Sequence, residues 1–232
     1  MAVDPKDQWA RVEIPQTLVG RRAGTSARER AHALRAERLL RTLVTRALRI
    51  HTDERAWRKG ANGERVTGFW LGRLPEGWFA FHDIPIGDRG ANVDHFVVGP
   101  GGVFTINTKN LTGEVRVNPR SIVHNGHRTS FLPKAASEAR RAAGLLEAAL
   151  GKVVQVRGVL AILADEWVIK ERPSDVFVGG PRGVKHWMLA QPAVLRSDEV
   201  IVIAAAASKP ATWTTPVEAT RSRARTVPAP EA

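Results

Sequence analysis

One short run, Asp94-His95-Phe96-Val97-Val98-Gly99-Pro100-Gly101-Gly102-Val103-Phe104-Thr105-Ile106-Asn107-Thr108-Lys109, holds a carboxylate, an amide and a lysine at its ends. Residues 93–98 and 103–109 are rich in β-branched and aromatic residues, and the Gly/Pro cluster between them is a turn signal. Two antiparallel strands joined there place the start of the first opposite the end of the second. Asp94 then meets Lys109, and Asn107, two residues before Lys109, points to the same face. Such a set suits phosphodiester cleavage. An aspartate binds a hard divalent cation, Mg²⁺ or Mn²⁺, through oxygen. The cation polarises the phosphate and activates water. The lysine positions or deprotonates that water and offsets charge growing on the phosphate oxygens.

Other elements must hold this hairpin in place. Residues 1–24 carry Pro5, Pro15, Gly20 and Gly24 with little periodicity. A helix is expected over residues 26–50, with Ser26 and Glu29 as a capping box. Ala36, Leu40, Leu43, Ala47 and Ile50 line its apolar stripe, and Arg28, Arg35, Arg38, Arg46 and Arg49 its basic face. Those arginines are candidates for phosphate contact without base reading. A second helix is expected over residues 55–72. Gly60 and Gly63 are costly there and point to a close approach by other backbone or a ligand. Strand signals follow at residues 78–84, 113–117 and 121–123, with Asn125-Gly126 as a hairpin turn. Residues 134–150 form a helix between Pro133 and Gly151. Residues 153–163 are nearly all apolar, as in a central strand buried on both faces. A short strand at 175–178 and helices at 184–190 and 197–207 complete the order. The expectation is an α/β fold with a mixed sheet flanked by helices. It divides into an extension (1–54), one domain (55–207) and a tail (208–232) expected to be disordered.

The charge balance narrows the partner. Lys plus Arg is 35 against 23 Asp plus Glu, a net charge of +12 in 232 residues. Such a field attracts polyanions, nucleic acid before all others. With no cysteine, disulfides and thiolate metal sites are excluded. No leader-like apolar segment and no run of the roughly 18 apolar residues a membrane span needs is visible, so a cytoplasmic protein with no membrane partner is expected.

Several segments together resemble a known family. Gly60-Ala61-Asn62-Gly63-Glu64, Asp83-Ile84-Pro85, Val93-Asp94-His95-Phe96-Val97-Val98, and Gly102 through Asn110 with Gly113 are similar to the NERD (nuclease-related) domain. That family is grouped with the PD-(D/E)xK nucleases and Mrr-type restriction endonucleases. The resemblance is close over residues 59–117 and weaker through 156–163. It implies a restriction-endonuclease-like fold and roles by position. Asp94 would be the principal metal ligand, Glu64 the helix carboxylate, Lys109 the catalytic lysine, and Thr108 a backbone-carbonyl ligand. Asn107 departs from the pattern, because it stands where the family's ExK motif has Glu. An amide oxygen can ligate Mg²⁺ but brings no charge, so ion binding weakens unless another carboxylate, Glu64 or Glu114, compensates.

Three functional readings follow. One is a Mg²⁺-dependent DNA-processing hydrolase; a second is a nucleic-acid-binding module that kept the fold and lost its metal. A scaffold whose basic helix binds a protein is a third. His95 must point away from Asp94 and reads as a core residue. His124 and His127 frame a solvated turn, and Trp57, Trp70 and Trp78 read as core rather than base platforms.

Overall fold

The computed structural model describes residues 47–86 and 91–214, and for residues 47–58 and 91 the backbone alone. Helix α1 spans Ala47–Leu71. Strands β1 (Phe79–Ile86), β2 (Ala91–Gly99) and β3 (Gly102–Asn110) form an antiparallel meander. Then come β4 (Glu114–Asn118), β5 (Ser121–His124), β6 (His127–Arg128) and helix α2 (Phe131–Leu150). Strands β7 (Val156–Leu163), β8 (Glu166–Ile169) and β9 (Val176–Gly179), helices α3 (Pro181–Leu189) and α4 (Ser197–Ala207), and a 3₁₀ turn at Pro210–Trp213 complete the order.

The described strands make two mixed sheets, ordered β1-β2-β3-β7-β9 and β6-β5-β4-β8. Strands β3, β7 and β9 run parallel. Parallel neighbours need a long crossover, and α2 is part of the one joining β3 to β7. Alternation sorts the five-stranded sheet into two faces. Val97, Phe104, Ile106, Val159 and Ala161 pack with Leu71 of α1 and with Val184 and Met188 of α3. On the other face Phe96, Val98 and Val103 pack with Leu145 and Leu146 of α2 and with α4. Leu160 and Ile162 join Leu132 and Ala135 of α2 over the smaller sheet. Two mixed sheets flanked by four described helices are consistent with a restriction-endonuclease-like fold.

Three expectations change. The expected boundary at residues 54 and 55 falls inside the continuous helix α1. One expected sheet is two, because β8, not foreseen, pairs with β4 and not with β7. Residues 208–213, expected to be disordered, instead return to the core. Trp213 is fully buried, its indole N–H donates to the Ala207 carbonyl at 2.8 Å, and its ring meets Phe96 edge-on at 5.3 Å.

Candidate active site

The turn that makes the hairpin is built on contacts only glycine allows. Gly102 has a positive φ of 125°. A Cβ on Gly99 would lie 2.2 Å from the Trp78 ring, which therefore covers the turn. Beyond it β2 and β3 pair from Gly99–Gly102 to His95–Ile106 and no further. Strand β2 continues along β1 to Ala91, and β3 continues along β7 to Asn110. The two strands part at this end, and the candidate residues line the gap.

Asp94 fills it. With the ladder ended, the Thr108 backbone N–H donates to Asp94 Oδ2 at 2.7 Å. A charge-assisted bond of this kind is worth about 1.5–3 kcal/mol. Asn107 and Lys109 face α2 with Asp94. Lys109 Nζ lies 5.6 Å from the Phe131 ring centroid. Thr108 points the other way, where its hydroxyl meets that of Thr67 on α1 at 3.0 Å. Gly63 lets α1 come this close. A Cβ there would lie 2.8 Å from Asn110 Cβ and 3.3 Å from Thr108 Cγ2. Nothing lies within 4 Å of a Cβ on Gly60, so the expected close approach holds at Gly63 alone of the two.

The expected residues divide. Asp94, Asn107 and Lys109 come together. Glu64 is partly buried on α1, which covers the opposite face of β3 from Asn107. The Glu114 carboxylate is committed to Arg116 at 2.6 Å, on the smaller sheet. Arg28, Arg35, Arg38 and Arg46 lie outside the described residues, as do the side chains of Arg49 and Trp57. His95 is fully buried, and its Nδ1 lies 2.8 Å from Nδ1 of His82. Burial, with His82 adding, holds His95 well below the ordinary histidine value, which suits a neutral core pair. His124 is partly exposed and bonds the Thr112 carbonyl. Among the described residues no three His, Cys, Asp or Glu side chains are grouped to hold a metal ion.

Two acidic residues were missed. Glu138 of α2 accepts a hydrogen bond from Asn107 Nδ2 at 3.1 Å. Burial, and then the Asp94 charge, push its carboxyl up to about 7, while Asn107 and Lys109 pull it down. Burial likewise raises Asp94, with Lys109 and the Thr108 N–H opposing and Asp83 adding. Asp83 is buried in β1 at a positive φ of 55° and accepts a bond from Asn92 at 2.8 Å. A signal for Glu138 was present in the helix. It lies three residues after Ala135 and four before Ala142, both buried, so it shares the core-facing stripe. Asp83 stood in the Asp83-Ile84-Pro85 segment of the resemblance, but its place beside Asp94 did not follow from that, since a strand residue with positive φ is not legible from its type.

Residues 59–163 match the family model of the nuclease-related domain, NERD. The chain contains a NERD domain. No curated protein and no solved structure matches it. The NERD segment runs from α1 to the last residue of β7, so it includes the whole gap between β2 and β3. A separate open cleft of ≈ 660 Å³ lies outside that gap, lined among others by Arg157, Arg172, Trp167, Phe177 and Trp187. There Phe177 and Trp187 stack at 4.0 Å, with Arg157 over Trp187 and Arg172 over Phe177.

Proposed function

We propose that this NERD protein is a divalent-metal-dependent hydrolase of DNA phosphodiesters, acting at the parted ends of β2 and β3. The observation that carries the reading is the meeting there of Asp94, Asn107 and Lys109 on one face. The donors suit a small hard cation. They are oxygens, and Asn107 Oδ1 is buried with no hydrogen-bond partner. Asp94, Asn107 and the Thr108 carbonyl would hold Mg²⁺ or Mn²⁺, with Glu64 approaching the same end of β3 on α1. When bound, the cation supplies Lewis-acid polarisation of the phosphate.

The chain's own groups do the rest. Lys109 places a positive charge beside the carboxylates, where it offsets charge building on the phosphate oxygens and orients the attacking water. The Thr108 N–H locks the Asp94 carboxylate in position. Arg28, Arg35, Arg38, Arg46 and Arg49 are proposed to meet phosphates along the strand. The cytoplasm is the compartment this reading calls for. Among the described residues no helix is long and apolar enough to cross a membrane.

The test is cleavage of plasmid and single-stranded DNA with Mg²⁺ or Mn²⁺, comparing wild type with Asp94→Ala and Lys109→Ala. Metal-dependent cutting, lost in both variants, is expected. DNA binding without cutting by the wild type would instead establish a non-catalytic module, the reading that the amide at position 107 favours.

A further inference from the structure

Asn107 leaves the site one negative charge short, and the structure holds a carboxylate at that spot from another element. We infer that Glu138 is the metal-site carboxylate that Asn107 lacks, the charge having moved from strand β3 to helix α2 while keeping its place in space. This rests on the metal-dependent reading above.

The contact between the two side chains is the first support. Asn107 Nδ2 donates to Glu138 Oε2 at 3.1 Å, so the amide spends a donor on the carboxylate. What remains is two buried acceptors, Asn107 Oδ1 and Glu138 Oε1, neither with a hydrogen-bond partner. With Glu138 ionised, the state a cation needs, a merely structural Asn–Glu pair leaves both oxygens without a donor, and buried acceptors without donors are destabilising and rare. A cation satisfies both at once. Charge is the second support. Glu138 stands close enough to Asp94 for the two carboxylates to repel, with Lys109 beside both. A structural role gains nothing from that repulsion, whereas two carboxylates match the charge of one divalent ion. Position is the third. Asp94, Asn107 and Lys109 all face α2, and Glu138 occupies the buried stripe of that helix between Ala135 and Ala142. Ligand charge therefore stays at two carboxylates, as in an Asp plus ExK set.

The test is direct binding of Mn²⁺, without DNA, by calorimetry and electron paramagnetic resonance. Four proteins are compared: wild type, Asp94→Ala, the isosteric Glu138→Gln, and the double variant Asn107→Glu with Glu138→Gln. Circular dichroism and melting curves confirm that each is folded. Wild type is expected to bind and Asp94→Ala to lose binding. Glu138→Gln should weaken it roughly 10-fold or more, and the double variant should return to within a few-fold of wild type. Loss in Asp94→Ala with full affinity in Glu138→Gln overturns the inference and leaves the metal site standing. A loss in Glu138→Gln that Glu at position 107 does not recover overturns the exchange of charge between the two positions. No Mn²⁺ binding by wild type overturns both this inference and the metal-dependent reading.

Discussion

Burial and the Asp94 charge hold the Glu138 carboxyl at about 7, against an ordinary 4.5. In the unfolded chain it ionises near that ordinary value, so folding favours its neutral form. The sign follows from linkage: stability is greatest below about 4.5 and falls as pH rises from there to about 7. Glu138→Gln removes the effect. In chelator, at pH 8, the variant should be more stable than wild type by roughly 2–3 kcal/mol, and near pH 4 the two should coincide. Urea midpoints at both pH values check this, and equal midpoints at pH 8 would refute it. At this scale the sequence was half legible. Asp94, Asn107 and Lys109 lie within one hairpin, so strand periodicity alone brings them together. Glu138 is 31 residues from Asn107. Its place depends on how α2 docks, which no local pattern encodes.

The same division holds for elements. The hairpin was legible because Gly99-Pro100-Gly101-Gly102 both stops and reverses a strand, and α2 because Pro133 suits its first turn and Gly151 ends it. Gly151 does take the left-handed conformation, φ 67°, and its N–H caps the Glu147 carbonyl. Strand β8 escaped because its four residues, Glu-Trp-Val-Ile, are stabilised by pairing with β4 across the chain and not by local propensity. The two glycines of α1 allow a paired prediction. Gly63→Ala pushes a methyl against Asn110 and Thr108, and overpacking of this kind costs about 1–3 kcal/mol. Gly60→Ala meets nothing and should stabilise the helix by about 0.5–1 kcal/mol. Thermal melts of the two variants should therefore move in opposite directions. Because Gly63 abuts the residue next to Lys109, Gly63→Ala should also lower cleavage, while Gly60→Ala should not.

Across the whole molecule the net charge of +12 dominates the encounter with a polyanion. Duplex binding should weaken steeply from 50 to 200 mM salt, with the slope of log affinity near −0.9 per phosphate neutralised. Fluorescence anisotropy across that range measures it, and a slope near zero would favour the protein-binding scaffold over a nucleic-acid partner. Stability at this scale leans on residues whose composition hid them. The segment 208–213 is Ser-Lys-Pro-Ala-Thr-Trp, which reads as loop, yet Trp213 closes the core over Phe96. Trp213→Ala should cost about 3–5 kcal/mol, the usual range for emptying a large aromatic site, and chemical denaturation will show it.

That closing tryptophan has a bearing on inheritance. The NERD match ends at Leu163, the final residue of β7. Past that point the chain still supplies β9 along the free edge of β7, helix α3 over one face, α4 over the other, and Trp213. A gene cut at the family boundary would encode a sheet with a bare parallel edge and uncovered valines, a surface prone to self-association. The stretch that recombination can move intact is therefore longer than the stretch by which the family is known, and any fusion carrying this site must also carry its C-terminal cover.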